Sequence, residues 1–205
     1  MCLSPYPGER RCGDAFLVKE NGEAVLIAVV DALGHGDEAA DIAEQAVASL
    51  GQTADPSAVG CLTACHTALL GSRGAAVTVG SIDLNRGELV WVGVGNVEAA
   101  ALRGGANGRP VSRVRVPLRG GVVGYHLPPL RESTASLAAG SVLVLATDGV
   151  VLTSLEAVDL SLEPLALARH LHAAYARTDD DALVLVARWR SGRARRAVLI
   201  APPIR

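Results

Sequence analysis

Apolar residues occur in short blocks along this chain, and the clearest block ends at an acidic residue. Seven consecutive apolar residues, Ala24–Val30, stop at Asp31, and a loop with two glycines follows. A run of this length that is rich in Val and Ile and bounded by charge and glycine predicts a strand buried on both faces. Asp31 is then expected at the C-terminal end of the strand, where a rigid backbone can hold its carboxylate in a cleft. A lone Asp at a strand end is more often a turn former, so the interpretation depends on whether the arrangement recurs.

The same arrangement does recur near the C-terminus. A second apolar strand is predicted over 141–147, and it ends at Asp148, directly before a glycine. A third apolar strand, Ala182–Ala187, follows three consecutive acidic residues, Asp179–Asp181. The recurrence favours a shared location for these carboxylates over a set of unrelated turns.

Asp14 and Asp31 are predicted to belong to one antiparallel hairpin. Residues 13–19 alternate enough for a strand, and Asn21-Gly22 is a strong turn signal before the buried strand. Because Asp14 begins its strand and Asp31 ends the next, both carboxylates fall at the same edge of the sheet. Two carboxylates that converge in this way repel each other unless a cation lies between them.

The rest of the pattern predicts a mixture of helices and antiparallel strands. The elements expected are a helix over 37–50, a helix from Pro56 to about Leu70, strands over 75–84 and 88–94, a continuation of that meander to Leu102, an exposed loop over 103–113, a hairpin of 132–137 with 141–147, and two helical pieces over 154–176 divided near Pro164.

Composition limits the classes of function that remain. Of the 205 residues, 50% are hydrophobic and 20% are charged, which suits one soluble domain over residues 1–205. The formal net charge of −2 gives no reason to expect nucleic acid or an anionic membrane as a partner. No apolar run approaches the ~18 residues that span a bilayer, and the N-terminus lacks the pattern of a signal peptide. We therefore expect a cytoplasmic protein, and we expect it to be a monomer.

Cysteine, histidine and arginine give weaker signals. Cys61 and Cys65 stand four apart on a predicted helix, but no second Cys or His pair accompanies them, so buried free thiols are the favoured interpretation. His35 is either a proton donor to a leaving alkoxide or, more often in such a loop, a turn-stabilising side chain. His126 is expected to be exposed in a loop, and Asn96 to secure a turn. The arginines of the tail after residue 187 could bind an acidic partner, although a solvated basic face is the default.

Four acidic points therefore stand at strand margins: Asp14, Asp31, Asp148 and the cluster Asp179–Asp181. Oxygen ligands without a partnering His or Cys suit hard cations such as Mg²⁺ or Mn²⁺. Two such ions a few Å apart lower the pKa of a bridging water and clamp a phosphoryl oxygen, which is the chemistry of metal-assisted hydrolysis. The alternative, in which each Asp only forms a turn, predicts no common location.

Five segments together resemble the successive motifs of a known family. They are GD at 13–14, VVDALGHGDEA at 29–39, GVGN at 93–96, GSVLVLATDGV at 140–150 and DDDALVLV at 179–186. In this order they resemble the metal-dependent PPM serine/threonine phosphatases, in the SpoIIE/RsbU-like bacterial branch. The short chain without a sensor domain is most similar to the RsbX group of that branch. The resemblance implies an α+β fold, a four-layer αββα sandwich of two mainly antiparallel sheets flanked by helices, with two Mn²⁺ or Mg²⁺ ions at one edge.

The resemblance also implies roles for individual residues. Asp31 resembles the carboxylate that bridges both metals, and Asp148 resembles a ligand of one of them. The backbone carbonyl of Ala32 is implied as a ligand of the other metal, although the family usually has Gly at this position. Asp14 is implied to hold a water bound to metal.

The acidic triplet matches the corresponding motif of the family only in part. In the family's D-D/N-x-T/S motif the first acid is the ligand, which here selects Asp179, with Asp180 beside it. Ala182 then replaces the usual Thr or Ser. The arginine that binds phosphate in eukaryotic members has no clear counterpart, as is usual in this branch.

The function implied is removal of phosphate from Ser or Thr on the STAS-domain scaffold proteins of a stressosome, of the RsbR/RsbS kind, which resets a stress-signalling switch. The alternative is a catalytically weak pseudo-phosphatase that binds a phosphorylated regulator without turning it over. Because all four acidic points are retained, the enzyme is favoured.

Overall fold

A computed structural model describes residues 1–152 and 155–190 of the chain. The strands are β1 Cys2–Ser4, β2 Asp14–Asn21, β3 Ala24–Ala32, β4 Ala75–Asp83, β5 Glu88–Val94, β6 Glu98–Gly104, β7 Pro110–Arg115, β8 Leu118–Arg119, β9 Ser133–Ser136, β10 Val142–Ala146 and β11 Ala182–Arg188. The helices are α1 Gly36–Gln52, α2 Ala58–Ala68 and α3 Pro164–Tyr175, with a 3-10 turn at Leu155–Ala157.

The strands form two sheets that pack face to face. Sheet I has the order β2-β3-β4-β5-β8, with β9 also paired to β5, and sheet II has the order β1-β11-β10-β6-β7. All pairings are antiparallel except the short one between β5 and β8. Helices α1 and α2 cover the outer face of sheet I, and α3 covers the outer face of sheet II. The predicted four-layer αββα sandwich is confirmed.

Strand β3 is the centre of this packing because both of its faces are covered. Leu26, Ala28 and Val30 pack against the helices, while Ile27 and Val29 pack between the sheets. Alternate side chains of a strand point to opposite faces, so a strand with helices on one side and a sheet on the other must be apolar at every position. The continuous apolar run in the sequence is explained by this two-sided burial.

The second helix begins later than the sequence predicted. Asp55 Oδ1 accepts the backbone N–H of Ser57 at 2.9 Å, which makes a turn, and Ser57 Oγ then accepts the backbone N–H of Gly60 at 3.0 Å. Ser57 is therefore the N-cap, and α2 begins at Ala58. The predicted start at Pro56 was wrong because a capping serine follows it.

Two predictions of strand pairing were wrong because the chain changes sheets at a turn. After β5 in sheet I the chain crosses to sheet II, where β6 pairs with β10 and β7. The predicted exposed loop over 103–113 contains most of β7. Similarly, β9 pairs with β5 in sheet I, whereas β10 lies in sheet II, so these two strands form no hairpin. Alternation of apolar residues shows that a strand has a buried face but not which sheet provides the cover.

The C-terminal third agrees with the prediction only in part. The piece before Pro164 contains a 3-10 turn rather than an α-helix, and α3 begins at Pro164 as expected. On α3, Leu167, Ala168 and Leu171 are buried, while Leu165 is 38% exposed. The predicted basic face of the tail falls mostly on residues 191–205, outside the described residues, and the prediction of one domain over 1–205 stays a prediction. Within the described part of the chain, no helix is long and apolar enough to cross a membrane.

Candidate active site

The predicted pairing of Asp14 with Asp31 is confirmed. In the β2–β3 ladder these residues are directly opposite each other, at the edge of sheet I where β2 begins and β3 approaches its end. Directly opposite residues of an antiparallel pair have their side chains on the same face of the sheet, within about 5 Å at Cβ. Both carboxylates therefore share one end of the sandwich, on the side that faces sheet II.

Asp14 lies behind Asp31 and is anchored to sheet II. The Asp14 side chain is only 4% exposed. Thr147 Oγ1 donates to Asp14 Oδ2 at 2.6 Å and itself accepts the backbone N–H of Leu183 at 3.0 Å. Burial, and after it the charge of Asp31, raises the pKa of Asp14 well above its usual value. Thr147 was missed by the sequence reasoning, although it immediately precedes the strand-end Asp148.

A cavity of about 230 Å³ opens between the ends of the two sheets. Residues 31–35 form one wall, and Ala76, Asn96, Asp148 and Asp180 form the rest. Three of the predicted acids thus face one space, with the backbone of Ala32 beside them. This common location is what the turn-forming alternative did not predict.

The carboxylates of this cavity repel one another. Burial, followed by the charges of Asp148 and Asp180, raises the pKa of Asp31 to about 8. Burial and the charge of Asp148 also raise the pKa of Asp180. No Lys or Arg side chain stands among the residues that line the cavity. Arg177, which lies outside the lining, offsets part of the effect on Asp180, but burial and the charge of Asp148 outweigh it.

The structure separates the three acids that precede β11. Asp180 faces the cavity, whereas Asp179 is exposed and forms an ion pair with Arg177, at 3.0 Å from Nε and 3.2 Å from Nη2. Asp181 is 4% exposed and accepts the backbone N–H groups of Tyr6, at 2.7 Å, and Gly13, at 3.0 Å. Asp179, which the resemblance had selected as the ligand, is thus not brought to the cavity, and its neighbour Asp180 is. The reason is that Arg177 draws Asp179 outward while Asp181 turns inward to the N-terminal segment.

Asn96 is a cavity residue that the sequence reasoning assigned to a turn. Its Nδ2 donates to Asp148 Oδ2 at 2.6 Å. Asn96 follows β5 directly after a glycine, so it occupies a strand end just as Asp31 and Asp148 do. That shared position was the available signal.

His35 stands on the rim of the cavity and is held by the N-terminal segment. Its ring stacks on Tyr6, with centroids 4.0 Å apart and planes 10° apart, and its Nδ1 is 3.1 Å from Glu9 Oε1. The two roles proposed for His35 from the sequence stay predictions. His126 is exposed in its loop, as predicted.

The prediction of buried free thiols is confirmed for Cys61 and Cys65. Burial raises the pKa of Cys61 to about 11 and that of Cys65 to about 12, so both stay protonated near neutral pH. They pack in the core between α2 and sheet I, on the far side of β3 from Asp31.

The donor set of the cavity fits a hard divalent cation. Three carboxylates and the backbone carbonyl of Ala32 supply the oxygen atoms that Mg²⁺ and Mn²⁺ prefer, while His35 stands on the rim and Asn96 turns its amide nitrogen to Asp148. Among residues 1–152 and 155–190, no three acidic, His or Cys side chains already converge on one point. The acids instead surround an open space and repel one another across it, and a cation in that space relieves the repulsion.

Comparison with known proteins agrees with this geometry. The family model for stage II sporulation protein E (SpoIIE) matches residues 21–190. Phosphoserine phosphatase RsbX of Bacillus subtilis (strain 168) is 25% identical over 143 residues, which are 70% of this chain and 69% of RsbX.

Two solved structures extend the similarity to the fold. One comes from work on the bacterial stressosome as a modular system adapted to control secondary messenger signaling. It is 31% identical with a TM-score of 0.79, over 90% of this chain and 95% of the other. The second is RsbX in complex with magnesium, which is 20% identical with a TM-score of 0.77, over 90% of each chain. The chain therefore belongs to the SpoIIE family of PP2C-type protein serine/threonine phosphatases.

Proposed function

We propose that this phosphatase removes phosphate from phosphoserine or phosphothreonine on the STAS-domain scaffold proteins of a stressosome, of the RsbR/RsbS kind, and so resets a stress signal in the cytoplasm. The observation that carries the proposal is the cavity in which Asp31, Asp148 and Asp180 face one another, with no Lys or Arg side chain among the described residues that line it. The similarity to RsbX, a phosphoserine phosphatase, supports the choice of phosphoserine. The similarity to a stressosome structure supports the class of partner.

We further propose that the cavity takes two Mn²⁺ or Mg²⁺ ions. Asp31 would hold both, with Asp148, Asp180 and the backbone carbonyl of Ala32 as further ligands. Asp14, which is buried opposite Asp31 and is not among the cavity-lining residues, would hold a water at the site. When bound, such ions supply Lewis-acid activation of water and of the phosphoryl group.

The protein's own contribution is to hold these carboxylate oxygens in fixed positions close to one another. Asp31 is held by the central strand β3, and Asp148 follows the buried strand β10, so neither main chain can shift to relieve the repulsion. A phosphate group brings further negative charge into this cavity. Binding of substrate therefore depends on divalent cations, because the carboxylates alone repel a phosphomonoester.

The proposal is tested by turnover of a serine-phosphorylated STAS-domain protein. We expect release of inorganic phosphate by the purified protein with Mn²⁺, and none after EDTA treatment. A p-nitrophenyl phosphate assay under the same conditions serves as a control for intrinsic activity. Hydrolysis of p-nitrophenyl phosphate without turnover of the STAS protein would refute the substrate class. Stable binding of the phosphoprotein without any hydrolysis would instead support the pseudo-phosphatase.

A further inference from the structure

We propose that Asn96 is a positioning residue of this site, whose side-chain amide holds the Asp148 carboxylate in the orientation that receives a divalent cation. The inference rests on the proposed function, because it takes the cavity as the cation site. It assigns to Asn96 a role in binding, where the sequence suggested only a turn.

The main chain at Asn96 is fixed on both sides. The backbone N–H of Gly95 donates to Arg119 O at 2.9 Å, and Val97 O accepts from the buried Thr78 Oγ1 at 2.7 Å. Gly95 has φ +92°, and a Cβ there would lie 2.4 Å from the Cβ of Ala76. Only glycine fits this close approach, so the turn that presents Asn96 to the cavity has a defined shape.

The main chain at Asp148 is also fixed, although its side chain is exposed. The backbone N–H of Val150 donates to Thr147 O at 3.0 Å, and that of Arg177 donates to Gly149 O at 2.7 Å. A Cβ on Gly149 would lie 1.8 Å from Asp181 O, so the turn after Asp148 also depends on glycine. The remaining freedom of Asp148 is rotation of its carboxylate.

The contact with Asn96 removes that freedom. Asn96 Nδ2 donates to Asp148 Oδ2 at 2.6 Å, and it joins the end of β5 in sheet I to the end of β10 in sheet II across the mouth of the cavity. An amide oxygen in the same place would repel the carboxylate, so the nitrogen faces Asp148. This hydrogen bond uses Oδ2 of Asp148, so Asn96 does not occupy the second carboxylate oxygen, Oδ1.

Repulsion within the cavity explains why such a restraint is needed. Asp31, Asp148 and Asp180 line one cavity, so the like charges of the other two carboxylates push Asp148 away from them. A carboxylate whose main chain is fixed but whose side chain can rotate relieves such repulsion by turning toward solvent. The amide donor opposes this rotation, and it keeps Asp148 aimed at the space that it shares with the other two acids.

Hydrogen bonds that orient a metal ligand typically change metal affinity by 10- to 100-fold. We therefore expect Asn96→Ala to weaken the apparent Kd for Mn²⁺ by about 10- to 100-fold. Asn96→Leu keeps the branched shape without an N–H group, and we expect the same loss. Because Asn96 is exposed, both variants should keep the melting temperature of the metal-free protein. Asn85→Ala is the matched control, since Asn85 is an exposed asparagine in the turn at the other end of β5.

The experiment is calorimetric titration of Mn²⁺ into the chelator-stripped full chain for the wild type and these three variants. Weaker binding in both Asn96 variants, with Asn85→Ala equal to the wild type, supports the inference. Binding within twofold of the wild type in Asn96→Ala overturns it. Wild-type affinity in Asn96→Leu alone also overturns it, because bulk and not the hydrogen bond would then be responsible. If the wild type itself binds no Mn²⁺, the metal-dependent function fails and this inference falls with it.

Discussion

The three consecutive acids before β11 allow a sharp test of which of them is a metal ligand, because each has a different environment in the structure. Asp180 faces the cavity, Asp179 pairs with Arg177 at the surface, and Asp181 is buried on backbone N–H groups. Replacement of each by Asn removes one charge and almost no volume. Three equal changes in charge should therefore have three different effects.

The magnitudes follow from these surroundings. Asp180→Asn removes a proposed ligand and should lower kcat/KM about a thousandfold, which corresponds to about 4 kcal/mol of transition-state stabilisation. Asp179→Asn should leave kcat/KM nearly unchanged, since its partner Arg177 lies in solvent. Asp181→Asn can accept through only one of its two terminal atoms, so one backbone N–H of Tyr6 or Gly13 loses its acceptor. A buried unsatisfied group costs ~1–3 kcal/mol, and the melting temperature should fall by very roughly 2–12 °C.

The assay is Mn²⁺-dependent hydrolysis of p-nitrophenyl phosphate, together with thermal melts of the metal-free proteins. The expected order of activity loss is Asp180→Asn far above Asp179→Asn, with the largest loss of stability in Asp181→Asn. A crippled Asp179→Asn beside an active Asp180→Asn would refute the assignment and restore the ligand that the resemblance had selected.

Three further predictions concern the rest of the cavity. Asp31→Asn or Asp148→Asn should each lower Mn²⁺-dependent turnover on the order of a thousandfold with the fold intact by circular dichroism, and near-normal turnover in either would contradict the proposed ligand set. Mn²⁺ at about a hundredfold its Kd should stabilise the stripped protein by ~2.7 kcal/mol, a rise in melting temperature of very roughly 5–10 °C that Asp31→Asn largely removes, whereas an unchanged melting curve would argue against cation binding. Thr147→Val should cost ~1–3 kcal/mol in chemical denaturation, because Asp14 loses its donor and Leu183 loses its acceptor, and a neutral substitution would show that this hydroxyl is not needed to anchor Asp14.

The part of the site that lies on strands was predictable from the sequence. Asp14 and Asp31 are linked by a short hairpin, so a turn signal and an apolar pattern were enough to set their register. Asp148 was found for the same reason, because it directly follows a fully apolar strand. Because the backbone of a strand is regular, the place of a residue in the sequence determines its place in the sheet.

The parts that lie on turns were not predictable in the same way. Residues 179–181 precede β11 and do not alternate as a strand does, so the distinction between Asp179 and Asp180 depended on Arg177 and on the distant N-terminal segment. Asn96 lies in the turn between β5 and β6, but its contact with Asp148 was missed. Its partner Asp148 is 52 residues away, and only the packing of the two sheets brings them together.

The pairing of strands failed for a related reason. Both sheets are antiparallel and both have an apolar inner face, so β6 and β10 suit either sheet by pattern alone. The chain changes sheets after β1, β5, β7 and β9. The site depends on these crossings of the chain between the sheets, because the cavity lies where the ends of the two sheets meet.

The central claim is that the acids of this cavity hold the divalent cations on which hydrolysis depends. Anomalous diffraction from a crystal of the protein soaked in Mn²⁺ tests it most directly. We expect two anomalous peaks inside the cavity, bounded by the carboxylates of Asp31, Asp148 and Asp180, and none beside Asp179. Mn²⁺ bound beside Asp179, or a cavity without a peak at a Mn²⁺ concentration that supports activity, would contradict the account.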